Sequence, residues 1–97
     1  MNLVFHKLVQ RDLRVILRYY EEEGGPLLAD RFFLELGSLV NEVESTPEKF
    51  HEVRNGLKRA NMLSFPYHLL FSTQGQEVRI LVLRHHRRRP DYGMSRK

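Results

Sequence analysis

Val78-Arg79-Ile80-Leu81-Val82-Leu83, followed at once by Arg84-His85-His86-Arg87-Arg88-Arg89-Pro90, is the most informative stretch of this 97-residue chain. Its first six residues are almost continuously apolar, which predicts a central strand covered on both faces for much of its length. The next seven hold four arginines and two histidines, so the strand delivers a dense positive charge to its own C-terminal end.

Reading backwards, Thr73-Gln74-Gly75-Gln76 is a turn, with glycine supplying the permissive backbone. Tyr67 to Ser72 reads as a second buried strand, and Leu57 to Ser64, where polar and apolar residues mix, as an exposed or edge strand. At the other end of the chain, Leu3-Val4-Phe5-His6 suits a short first strand. Val9, Leu13, Ile16, Leu17 and Tyr20 then recur at helical spacing, with Arg11, Arg14 and Arg18 on the wetter side. Gly24-Gly25 ends that helix, and Pro26 opens a second at a position where its missing N–H costs nothing. Ala29, Phe32, Phe33, Leu36, Val40 and Val43 carry the second apolar stripe until Ser45-Thr46-Pro47 stops it. The apolar stripes of the two helices are too wide to satisfy only one another, so a sheet must cover the rest. The expected fold is α+β: one domain over residues 1–97, a helical hairpin packed on a small twisted antiparallel sheet, in the order β-α-α-β-β-β.

A hydrophobic content of 41% supports one modest core. With no cysteine, disulfides and thiolate metal sites are excluded. The N-terminus lacks a basic leader with an apolar core behind it, and no run approaches the roughly 18 apolar residues of a membrane span, so a soluble cytoplasmic protein without membrane attachment is expected. Six of the 16 basic residues but one of the 12 acidic ones lie in residues 84–97, which leaves ten and eleven over residues 1–83. The whole net charge of +4 is therefore local to the C-terminal segment, a field suited to phosphates or an acidic protein.

The element order, the Tyr19-Tyr20 pair late in the first helix, Phe65-Pro66-Tyr67 leading into a strand, and His85-His86-Arg87-Arg88-Arg89-Pro90 after the last strand together resemble the RelE/ParE toxins of type II toxin-antitoxin systems. The resemblance spans nearly the whole chain, and Phe-Pro-Tyr followed by His-x-Arg-Arg-x-Pro is more similar to the ParE-type and plasmid-stabilisation branch. It implies a growth-inhibiting toxin neutralised by a cognate antitoxin, acting on DNA gyrase or as a ribosome-dependent mRNA endonuclease. A basic nucleic-acid-binding module and an inactive toxin homologue are the alternatives, and the oligomeric state is open.

Metal-free ribonuclease chemistry needs a base for the 2′-hydroxyl, an acid for the leaving oxygen and cations for the charged intermediate. His85, Arg87 and Arg88 are the catalytic candidates on that reading. Lys58, Arg59, His68, Arg84, Arg89 and Tyr92 are candidates for gripping a target or nucleic acid, Tyr92 by stacking or through its hydroxyl. His85 and His86, adjacent on extended backbone, point to opposite faces, so at most one of them, His85 by preference, shares a site with the other groups. Tyr19, Tyr20 and Phe65-Pro66-Tyr67 are expected to serve the core and a turn. Glu21-Glu22-Glu23 reads as a solvated face. No glycine-rich phosphate loop or HExxH spacing occurs, so no cofactor or metal is expected.

Overall fold

The computed structural model describes residues 2–97. It contains β1 (Asn2–Phe5), α1 (Lys7–Gly24), α2 (Pro26–Ser45), a 3-10 turn (Pro47–Lys49), β2 (His51–Arg54), β3 (Leu57–Asn61), β4 (Tyr67–Gln74) and β5 (Glu77–His85). The strands form one sheet in the order β1-β5-β4-β3-β2. The hairpin of helices covers one face of it, as expected for the α+β class.

The sheet departs from expectation in two details. β1 runs parallel to β5, with Asn2 opposite Glu77 and Phe5 opposite Ile80, so the sheet is mixed rather than wholly antiparallel. A fifth strand, β2, borders β3. Every residue of β2 is exposed, so no apolar alternation marks it. Its sequence signal is the Asn55-Gly56 turn, where both residues adopt positive φ (47° and 80°) as a tight two-residue hairpin requires.

Both helix boundaries follow from local chemistry. His6 caps α1, its Nδ1 accepting from the Leu8 N–H at 3.1 Å. Gly25 ends α1 at φ 84°, and Pro26 starts α2. The buried face of α1 is Val9, Asp12 and Ile16, and that of α2 is Ala29, Phe32, Leu36, Leu39 and Val43. Phe33, expected in the apolar stripe, is exposed, and Leu39 takes a buried place instead. Between the layers Tyr20, Phe32, Phe65 and Tyr67 form an aromatic cluster with centroids 5.0–6.0 Å apart. Tyr19 joins it only at the rim, edge-on to Tyr20 at 5.2 Å and half-exposed.

β5 is buried from both sides, as its sequence predicts. The helices cover Val78, Ile80 and Leu83. A bulge opposite Leu70 and Phe71 makes Leu81 the extra residue, and Leu81, Val82 and Leu70 form a second, smaller cluster closed by Leu57, Tyr92 and Met94. The chain after β5 thus returns across the sheet face that the helices leave bare. It lies very close: Gly93 has φ 77°, and a Cβ there would stand 2.6 Å from Val82 Cγ2. We predict that Gly93→Ala destabilises the protein by about 1–3 kcal/mol in urea unfolding, through overpacking and a left-handed backbone together; an unchanged midpoint would refute this.

Candidate functional site: the basic turn after β5

β5 ends by placing Arg84 and His85 on opposite sides of the sheet, and a tight turn follows. Arg88 N–H donates to the His85 carbonyl at 3.0 Å, and Arg87 N–H donates to His85 Nδ1, also at 3.0 Å. That leaves the His85 Nε2 as the free ring nitrogen, with the ring edge-on to Tyr67 at 5.0 Å. The two sequence motifs meet here: His86 N–H donates to the Pro66 carbonyl at 2.8 Å.

On the face away from the helices, three strands contribute Arg59, His68 and Arg84, and the turn after β5 contributes His86. Asn61 pairs with His68 and His68 with Arg84, while Arg59 pairs with Leu70 one row away. Arg84 Nε donates to His68 Nε2 at 2.9 Å, so the His68 proton sits on Nδ1. That Nδ1 lies 2.9 Å from His86 Nδ1, which therefore accepts, and Arg59 Nη2 donates to the same atom at 3.2 Å. The chain of bonds needs both imidazoles neutral. Burial, then the charges of Arg59 and Arg84, push His68 down to about 3. His86 is lowered by burial and by Arg59. Burial and Arg59 also lower Arg84.

Arg84 carries a structural load besides. Its Nη1 donates to the carbonyls of Pro90 and Tyr92 at 2.9 and 3.0 Å, binding the returning chain to β5. Tyr92 supports the turn in turn, its ring lying 4.0 Å under the Arg88 guanidinium.

A third group, invisible in the charge balance of the sequence, anchors the C-terminus. Asp12 and Arg96 form an ion pair with side chains 1% and 6% exposed. Asp12 Oδ2 accepts from Arg96 Nη1 at 2.6 Å and from the Leu83 N–H at 3.2 Å; its Oδ1 accepts from the Tyr92 hydroxyl at 2.7 Å. Arg96 Nη1 also donates to the Leu81 carbonyl at 3.0 Å. The Asp12 hydrogen bond holds the Arg96 guanidinium above its ordinary range. β1 pairs with β5 only as far as Ile80, and the two side chains satisfy the edge groups of β5 just beyond it.

The expected site residues are thus divided. His85 and Arg88 line one cleft together with Arg11, Asp12 and Tyr92. Arg59, His68 and Arg84 meet on the opposite face, and Arg84 lines the cleft as well. Arg87 and Arg89 are exposed, Arg89 near Asp91 at 3.4 Å. Lys58 stands apart from both groups, its Nζ donating to the Pro47 carbonyl at 3.2 Å under α2. Asp12, Arg96, Arg11 and His86 are the additions that the fold makes. Asp12 was signalled by its place on the apolar face of α1, between Val9 and Ile16. Among the described residues no group of His, Asp and Glu side chains is arranged to hold a metal ion, and no helix is long and apolar enough to cross a membrane.

A family model described as the ParE toxin of the type II toxin-antitoxin system, parDE, matches residues 3–90. Among solved structures the chain is similar to one titled "Chromosomal ParDE TA system from P. aeruginosa", with a TM-score of 0.79 and 19% identity, covering 88% of this chain and 95% of that one. At that identity the likeness concerns the fold. No curated protein matches the chain. The returning segment from Asp91 to Lys97 lies beyond the family match.

Proposed function

Because the chain belongs to the ParE toxin family of type II toxin-antitoxin systems, we propose that it arrests growth by gripping DNA gyrase through the basic turn after β5, and that a cognate antitoxin silences it by covering that turn. The observation that carries this reading is the disposition of the imidazoles. His68 and His86 are held neutral in a closed chain of hydrogen bonds on one face, while His85 faces the other. An acid and a base are therefore not paired across one reacting phosphate, as RNA cleavage without a metal requires. What the turn offers is exposed guanidiniums on a braced backbone, which suits recognition.

One observation favours the second reading, a ribosome-dependent mRNA endonuclease: His85 shares its cleft with Arg88 and Arg11, a lone base beside two cations.

Expression without antitoxin is expected to stop growth and to leave gyrase supercoiling deficient, and the Arg87→Ala/Arg88→Ala/Arg89→Ala variant, folded to the same melting temperature, is expected to do neither. New mRNA 5′ ends during arrest, with supercoiling intact, would replace this reading by the second one.

A further inference from the structure

α1 and the end of β5 enclose a cleft of about 340 Å³, with Arg11, Val15 and Ile16 on one wall, Tyr67 and Leu83 in the floor, and His85 and Arg88 opposite. It opens where β5 outruns β1. A partner strand cannot simply pair there, because the Leu83 N–H and the Leu81 carbonyl are already held by Asp12 and Arg96. Entry is by a side chain.

The charge in this cleft is unmatched. Asp12, the one carboxylate lining it, has both oxygens committed to Arg96, Tyr92 and Leu83. The ion pairs among the described residues are Lys49–Glu42, Arg79–Glu77, Arg89–Asp91 and Arg96–Asp12, and none involves Arg11 or Arg88. Arg11 belongs to the part of the sequence whose charges cancel, but its nearest acids on the outer side of α1 are Glu21, Glu22 and Glu23. At 1.5 Å per residue those lie about 15 Å along the axis, beyond a Debye length. Arg11 is in no ion pair with any described residue. Val15, 65% exposed, offers a hydrocarbon wall beside it.

We infer that this cleft is a carboxylate-binding site that receives an acidic side chain of the toxin's protein target, with Arg11 and Arg88 clamping the carboxylate, His85 Nε2 donating to it, and its hydrocarbon stem lying on Val15, Ile16 and Leu83. The third arginine of the lining, Arg84, is committed to His68 and to the Pro90 and Tyr92 carbonyls. The two remaining cations over an apolar floor suit an anion carried on an apolar stem, whereas the sugars flanking a nucleic-acid phosphate would set polar groups against that floor. The inference rests on the reading of the turn as a protein grip and adds Arg11, which that reading does not require.

The experiment is a titration of isotope-labelled toxin, followed by NMR at the Arg11 Nε and the His85 ring, with 3-phenylpropionate and with inorganic phosphate at constant ionic strength. Saturable shifts with phenylpropionate alone, weakened at least tenfold in Arg11→Ala, are expected. No saturable shift, or an equal response to phosphate, would overturn the site. In cells Arg11→Glu should abolish growth arrest with the melting temperature unchanged. If Arg11→Glu stays toxic while the triple turn variant is harmless, the cleft fails and the proposed function stands. If the triple turn variant stays toxic, the proposed function fails, and the titration alone decides the cleft.

Discussion

Asp12→Ala is expected to cost about 3–5 kcal/mol of stability, because it leaves the Arg96 guanidinium buried without its counter-ion. The melting temperature should fall by more than about 10 °C, on the ordinary scaling for a domain of this size. Many buried ion pairs are replaceable by a well-packed apolar pair at little cost. This one should not be. Asp12→Leu with Arg96→Met would leave the Leu83 N–H and the Leu81 carbonyl without their present partners at the edge of β5. Calorimetry of the single and double variants tests this directly: full recovery in the double variant would show that the ion pair does no more than neutralise itself.

The second large effect is acid sensitivity centred on His68. Its pKa is about 3 in the fold against an ordinary 6.5. The folded state therefore binds fewer protons than the unfolded chain between those values. Stability from this group is complete above about pH 6.5 and falls as the pH drops toward 3, by up to about 1.4 kcal/mol per unit. At pH 5 roughly 2 kcal/mol should be gone. His68→Gln keeps a donor and an acceptor at the same position and removes the titration, so its stability should vary much less between pH 7 and 5. Parallel urea profiles for the two proteins would exclude His68 as the cause.

The helices and the strongest strands were legible in the sequence because each rests on local rules: glycine and proline at the helix junction, and six nearly continuous apolar residues in β5. What was not legible depends on register. Nothing local tells Leu3-Val4-Phe5 to lie parallel to β5, and β2 has no buried face to write a pattern. The site shows the same division. The density of arginine after β5 was plain, but its members have different employments that only the fold assigns. Arg84 ties down the returning chain, Arg96 is buried against α1, and Arg88 is left on a cleft wall, stacked on Tyr92. Lys58 and Arg59 are sequence neighbours, and alternation along a strand sends them to opposite faces.

The pairing of Asp12 with Arg96 also bears on how the protein is made. Synthesis runs from the N-terminus, so the first helix waits for Arg96 before its buried carboxylate has a counter-ion, and β1 waits likewise for β5. The sheet edge beyond Ile80 cannot be sealed until Arg96 has left the ribosome. A message cut short before the Arg96 codon yields a chain without the guanidinium that locks this edge.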